Sequence, residues 1–313
     1  MSTIINKKNY VSFGLIVILI SILIFISPIS KATNIIQGNY NNVTVNTRLS
    51  ISNSKPQILA LAVYQETNSS APNITISAGT TRNVTCNASV RDFNGFADVA
   101  SVNATFWYTP TSSSNAADDN NTHYTVNCTN ESNGVNYTIN YDCVLPVYYY
   151  ANNGSWTCNA TAKDSFNTTG YLFNTTYLYP VYALNITDTI DYGSIAVDLW
   201  SRNTTANITN FGNMAINVSI QSYGAVLNDG LAMNCSLNGN ITTNNQLFSP
   251  QNVSKISTTG NIQSLVNLTI AKQTVFGTPG LKTNITTWTL FVNSTNNPAG
   301  NCTGFVTFIA SAP

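Results

Sequence analysis

The chain runs to 313 residues, room for one large domain or two ordinary ones. Only 8% of its residues are charged and the formal net charge is zero, against roughly a quarter charged in a typical soluble domain. Twelve basic residues and one histidine, His123, exclude a basic nucleic-acid surface and leave a thin stock for acid–base catalysis. Hydrogen-bonding groups without charge replace what is missing: the chain holds 47 Asn and 71 Ser or Thr.

At the N-terminus Lys7 and Lys8 precede an uncharged apolar run over residues 11–26, and Pro28 ends it. A basic start, an apolar stretch of this length and the small residues Ser30 and Ala32 read as a cleavable signal peptide. An uncleaved anchor is the alternative, since the run just reaches the thickness of a hydrocarbon core. Either way the rest of the chain lies outside the membrane. Loss of Lys7, Lys8 and Lys31 with the leader leaves nine bases against 12 acids.

Beyond residue 32 nearly every segment alternates. Asn42-Val-Thr-Val-Asn, Ile74-Thr-Ile-Ser, Asn83-Val-Thr-Cys-Asn-Ala-Ser-Val, Val102-Asn-Ala-Thr-Phe-Trp-Tyr, Ile216-Asn-Val-Ser-Ile and Phe305-Val-Thr-Phe-Ile set apolar residues at period two against Asn, Thr or Ser. This is the half-buried strand pattern. Asn94-Gly95, Asn133-Gly134, Asn153-Gly154, Asp229-Gly230 and Asn238-Gly239 mark turns between the strands. No amphipathic helix follows residue 30, so short antiparallel strands packed as sandwiches are predicted.

Six cysteines follow the leader, Cys86, Cys128, Cys143, Cys158, Cys235 and Cys302. An even number in an exported chain predicts disulfides, and 15 pairings are formally open. Four fall in the first half and two in the second, which favours Cys86 with Cys158, Cys128 with Cys143, and Cys235 with Cys302. There is no C-x-x-C pair to accompany the isolated histidine, so zinc is not expected.

With Cys86, then Trp107, then Trp156-Thr-Cys158, residues 56–180 resemble an immunoglobulin-like domain. The resemblance implies Cys86 on the second strand, Trp107 on the third, Cys158 on the sixth, and Trp156 where a corner Tyr usually sits. Residues 181–313 open with Ile190-Asp-Tyr-Gly-Ser-Ile-Ala-Val and continue through Asn210-Phe-Gly-Asn213, and Thr287-Trp-Thr-Leu-Phe-Val stands near their close. They look like a second such module, of the kind found at the base of fibres. The whole order, with Tyr148-Tyr-Tyr-Ala-Asn-Asn-Gly-Ser-Trp-Thr-Cys, is similar to exported surface proteins of small-genome archaea, a resemblance that implies no activity.

Asn-x-Ser/Thr occurs 25 times, where chance pairing of these residues gives about 11. Asn73, Asn83, Asn103, Asn159, Asn185, Asn207, Asn217, Asn267, Asn284 and Asn301 are candidate N-glycan acceptors. Part of the excess follows from strand geometry alone, because residues i and i+2 share a face, and a wet face of Asn and Thr writes the motif by itself.

Other candidates are sparser. Asp92-Phe-Asn-Gly-Phe-Ala-Asp98 offers the oxygens of Asp92, Asn94 and Asp98, a ligand type suited to Ca²⁺, but it lacks a distal bidentate Glu and reads first as a plain turn without metal. Asp118-Asp119 reads as part of a mobile polar loop. Tyr148, Tyr149 and Tyr150 with Tyr141 offer an aromatic surface, or ordinary core packing. Glu66 and Glu131, the only glutamates, do not form a recognisable acid–base pair, and no hydrolytic triad is written in the chain. No catalytic residue and no cofactor is expected, Ca²⁺ being the one ion with a candidate loop.

These readings predict an all-β chain: an N-terminal apolar signal or anchor (1–32), a linker strand (33–55) and two antiparallel immunoglobulin-like β-sandwiches (56–180 and 181–313). The expected role is a non-catalytic, secreted or membrane-tethered surface glycoprotein acting in adhesion or ligand binding. A structural subunit of an envelope lattice or filament is the alternative. The expected partners are a cell-surface protein, a glycan or a second copy, with the membrane as a partner through an uncleaved N-terminus and nucleic acid excluded.

Overall fold

The computed structural model describes residues 46–66, 73–131, 134–250, 254–261, 263–277 and 280–313, without the side chains of 263–267. The leader and most of the linker lie outside the described residues. The chain divides into two units, 1–51 and 52–313. Of the first, residues 46–51 are described, and they are irregular and exposed.

The unit 52–313 is all β. Its first nine strands are β1 (Gln57–Gln65), β2 (Asn73–Ile74), β3 (Thr81–Arg91), β4 (Val99–Tyr108), β5 (His123–Asn127), β6 (Thr129–Asn130), β7 (Thr138–Tyr148), β8 (Gly154–Asp164) and β9 (Thr169–Leu178). They form a four-stranded sheet, β1-β3-β7-β6, facing a five-stranded sheet, β2-β9-β8-β4-β5. All pairs are antiparallel except β2 with β9. The chain thus pairs first in one sheet through β1 and then crosses to the other through β2, the immunoglobulin-like arrangement expected. Alternation drives it: Val84, Cys86, Ala88 and Val90 of β3 and Ala104 and Phe106 of β4 are fully buried, while Asn83, Asn103 and Ser101 between them face solvent.

The disulfides are Cys86–Cys158, Cys128–Cys143 and Cys235–Cys302. Cys86 stands directly opposite Cys143 on the β3–β7 ladder, yet bonds across the sandwich to Cys158 on β8. Two disulfides therefore meet in one core. Trp107 is on β4 as expected but only half-buried, because its strand parity points it outward. Phe106 takes the core position, stacked on Trp156 with ring centroids 4.7 Å apart. Trp156 is fully buried.

The remaining strands are β10 (Leu184–Ile186), β11 (Thr204–Asn210), β12 (Ile216–Tyr223), β13 (Leu231–Cys235), β14 (Asn240–Thr242), β15 (Gln246–Pro250), β16 (Ile256–Ser257), β17 (Gln263–Ile270), β18 (Thr283–Leu290), β19 (Cys302–Thr303) and β20 (Phe305–Ser311). They build a five-stranded sheet, β10-β11-β18-β15-β16, and three-stranded sheets β17-β12-β20 and β14-β13-β19. Ala206, Ile208, Val218, Ile220, Phe248 and Trp288 are among the buried residues of their core. The segment that opens with Ile190 is irregular. Asp191 accepts the Gly193 N–H at 2.8 Å, and Gly193 has φ +71°, so a tight turn breaks the alternation.

Asn210-Phe-Gly-Asn213 ties the two halves together. The fully buried Asn210 amide donates to the carbonyls of Met214, Ile270 and Ala271 at 2.7–3.2 Å. Asn213, also fully buried, donates to Tyr179 O at 3.0 Å and accepts from Val181 N at 2.6 Å. Each thereby partners backbone groups of the connecting segment or of the β12 and β17 ends. Gly79 (φ +69°) lets Phe211 lie on the backbone, since a Cβ there would come within 2.5 Å of the ring.

Candidate functional site

The outer face of the five-stranded sheet carries the most distinctive surface. On β9 the odd positions face outward: Tyr171 is 69% exposed, Phe173 63% and Tyr177 42%, and Tyr179 just beyond the strand is 44% exposed. At about 3.3 Å per residue this row spans roughly 27 Å. Tyr177 and Tyr179 pack edge to face at 5.7 Å, and the Tyr179 hydroxyl accepts from Asn73 Nδ2 at 2.8 Å. In register beside Tyr171 and Phe173 stand Thr161 and Asn159 on β8, and beside these Asn103 and Thr105 on β4. Neither β4 nor β9 contains a charged residue. The arrangement is a flat row of rings bordered by amides and hydroxyls.

Sequence reasoning missed this row, although its signal is present. Tyr171, Phe173, Tyr177 and Tyr179 all share one parity. The run Tyr148-Tyr149-Tyr150 with Tyr141 takes the packing role, the second of the two readings open to it. Tyr141, Tyr149 and Tyr150 are buried, and Tyr149 contacts Phe211 at 5.5 Å while Tyr148 contacts Phe276 at 5.2 Å. Tyr148, Tyr149, Tyr150, Phe211 and Phe276, with Gln273, which accepts from the Tyr149 hydroxyl, line a cavity of about 350 Å³. Lys272 donates to Tyr150 O at 2.7 Å and to Asn121 Oδ1 at 2.5 Å. Burial pulls its ammonium down to about 8, partly offset by Asp119.

Asp118 and Asp119 form a hydrogen-bonded cap rather than a loose loop. Asp119 accepts from the backbone of Asn121, Thr122 and His123 at 2.6–2.9 Å, and Asp118 meets His123 Nδ1 at 2.7 Å. Burial would raise the Asp119 carboxyl, but these donors outweigh it and hold it below the usual carboxylate range. Glu66 pairs with Arg82 at 3.6 Å and Glu131 accepts from Asn87 Nδ2 at 2.9 Å, so both glutamates have structural partners.

At the end of the first sandwich Asp92 is fully buried and Asp98 half-buried. Asn94 is not turned toward them as a ligand: its Oδ1 accepts the Ser54 N–H at 2.7 Å, which anchors the segment before β1. The third carboxylate there is Asp164, at the end of β8, and one oxygen from each of Asp92, Asp98 and Asp164 lies within 4.8 Å of the others. Burial raises the Asp92 carboxyl, the Asn94 N–H opposes this, and the charges of Asp98 and Asp164 add to it. For Asp164, hydrogen bonds from Thr168, Asn53 and Phe166 outweigh burial and lower it.

Among the glycan candidates, Asn83, Asn103, Asn185, Asn207 and Asn301 are exposed, and Asn73, Asn159 and Asn217 half-buried. The side chain of Asn267 lies outside the described residues. Asn284, expected on a wet face, is 8% exposed. It shares strand parity with Thr286 and Trp288, and the Trp288 ring fixes that face inward.

No protein-family model matches the chain, and no curated protein is significantly similar to it. Among solved structures it is similar to the CsuC–CsuE chaperone–tip adhesion subunit complex from archaic chaperone-usher Csu pili of Acinetobacter baumannii, at 12% identity and TM-score 0.39, over 76% of this chain and 96% of that one. The CupB6 tip adhesin of Pseudomonas aeruginosa matches at 9% identity and TM-score 0.29, over 83% of this chain and 91% of that one. The C-terminal domain of the Streptococcus agalactiae AgI/II polypeptide BspA matches at 8% identity and TM-score 0.25, over 81% and 96%.

Proposed function

We propose that the protein is a non-catalytic, cell-surface or secreted adhesion module that binds neutral glycan on the outer face of its five-stranded sheet. The row Tyr171, Phe173, Tyr177 and Tyr179 carries the reading. Exposed rings present apolar faces against which the C–H face of a sugar stacks, and tyrosine adds a polar tip. Asn103 and Thr161 supply donors and acceptors for sugar hydroxyls, while Thr105 Oγ1 and Asn159 Oδ1 lie beneath the surface. With no charge on β4 or β9 and one exposed charge, Lys163, on β8 beyond Thr161, the face suits a largely neutral ligand better than a strongly acidic or basic one. Three disulfides support an oxidising compartment outside the cytoplasm.

The test is binding of unglycosylated full-length chain to immobilised neutral polysaccharides. Saturable binding that is little changed by salt is expected, with at least a tenfold loss in a Tyr171→Ala, Phe173→Ala, Tyr177→Ala variant whose unfolding is unaltered. No binding to any polysaccharide, or binding that this variant retains, overturns the reading. A result in which native Asn103 and Asn159 carry sugars packed on the row also overturns it, because the rings then serve the chain's own glycans.

One observation favours a second reading, an envelope subunit. β20 is an outer strand, and its Val306, Phe308 and Ala310 are only half-buried against the core. Such an edge invites strand addition by another copy. Sedimentation showing ordered, concentration-dependent self-association would favour it, and a monomer throughout would remove it.

A further inference from the structure

We infer that a Ca²⁺ ion binds at the end of the first sandwich, between Asp92, Asp98, Asp164 and Asn53. Four stretches of chain converge there: the segment before β1, the turn after β3, the start of β4 and the end of β8. The oxygens from the three carboxylates lie within 4.8 Å of one another. Two oxygens on opposite sides of a Ca²⁺ ion with bonds of 2.3–2.6 Å stand roughly 4.6–5.2 Å apart, so this spacing fits shared coordination of one ion.

The second observation is independent of the acidic cluster as such. Asp92 is fully buried; its Oδ1 accepts the Asn94 N–H at 2.8 Å, and its Oδ2 is inaccessible and has no hydrogen-bond partner. Asp98 Oδ2 and Asn53 Oδ1 are likewise buried without partners. The Asn53 amide donates to Asp164 Oδ2 at 2.7 Å, which places its free oxygen beside the carboxylates. Among the described residues no Lys, Arg or His forms an ion pair with any of the three. Buried carboxylates in this state need a cation or a proton.

The site is braced. Ser165 N donates to Asp98 O at 3.0 Å, and Phe166 N and Thr168 N donate to Asp164 Oδ1 at 3.0 and 2.7 Å. Its donors are all oxygen, which suits a hard cation and not zinc. Several protein oxygens on separate loops favour Ca²⁺, which accepts irregular geometry, over Mg²⁺, which keeps most of its waters.

The experiment is thermal unfolding of the full chain, stripped with EGTA and titrated in parallel with CaCl₂ and MgCl₂. Ca²⁺ is expected to raise the melting temperature saturably, with one ion bound by calorimetry and a weaker response to Mg²⁺. Asp92→Asn and Asp98→Asn should each weaken the Ca²⁺ response at least tenfold. Asp98→Asn should melt no lower than the wild type in EGTA, because a repelling charge is gone. Asp188→Asn, an exposed carboxylate elsewhere, should respond as the wild type does. No Ca²⁺ response would mean that a shared proton balances the cluster and overturns the site. So would a response that Asp92→Asn and Asp98→Asn retain, an equal response to Mg²⁺, or marked destabilisation of Asp98→Asn in EGTA.

Discussion

The indole N–H of Trp156 donates to the carbonyl oxygen of Asn152, 2.7 Å away. The bond closes the turn that delivers β8, four residues upstream of the ring. The same ring stacks on Phe106 and lies 5.9 Å from both Tyr108 and Tyr124. Tyr124 repeats the device, its hydroxyl donating to Asn120 O at 2.5 Å. A corner that a tyrosine usually fastens is here fastened by tryptophan, two residues before the disulfide that joins the sheets.

Trp156→Phe should therefore destabilise the protein by about 2–4 kcal/mol, from lost packing volume and the loss of the bond to the half-buried Asn152 carbonyl. Trp107→Phe, on the outer face of β4, should lose less than about 1 kcal/mol. Urea unfolding of the two variants checks the contrast, and equal losses would put the structural weight on the wrong tryptophan.

The three disulfides differ in exposure and so in order of reduction. Cys86 and Cys158 are both fully buried, Cys143 is buried beside a half-buried Cys128, and Cys235 and Cys302 are both half-buried. Access limits thiol exchange, so timed alkylation under mild reductant should find Cys235–Cys302 open first and Cys86–Cys158 last. In the chain-entropy model, replacing Cys86 and Cys158 by alanine removes a constraint over 72 residues, about 4 kcal/mol, against about 3 for the 15 residues between Cys128 and Cys143.

Lys272 makes stability rise with pH. Its folded value is near 8, below the roughly 10.4 of a free lysine. Between the two the unfolded chain binds more protons, so unfolding becomes harder as pH increases from about 8. Tyr149 and Tyr150, both shifted upward by burial, oppose this only above about pH 10. The unfolding free energy from urea titration should be higher at pH 9.5 than at 7.5, by on the order of 1–2 kcal/mol. Lys272→Met should abolish the difference.

What the primary structure reveals here depends on the range of the interaction. Period-two alternation is local, and it places β3, β4, β12 and β20 correctly. Parity is local too, so Tyr171, Phe173 and Tyr177 were open to reading as one row. Asp164 was not, because it meets Asp92 only when β8 returns beside β4. Core packing of Tyr149 and Tyr150 was open to reading, but not its partners, since Phe211 and Gln273 arrive from the other half of the unit.

Asn284 shows how a polar motif is carried inside by its neighbours. On β18 the even positions hold Asn284, Thr286, Trp288 and Leu290, and the odd ones Thr283, Ile285, Thr287 and Thr289. Counting polar residues leaves the faces nearly balanced, but Trp288 is much the largest apolar group and it enters the core. Thr286 goes with it, donating to Ala206 O at 3.2 Å and accepting from Trp288 Nε1 at 2.8 Å, while Ile285 is left 47% exposed. A glycan on Asn284 would have to enter that packed face. On the adjacent β11, Asn207 points the other way and is exposed. Peptide mass spectrometry of glycosylated material should find sugar at Asn207 and none at Asn284. Occupancy at Asn284 in folded protein would mean that β18 is registered one residue away from the pairing that buries Trp288.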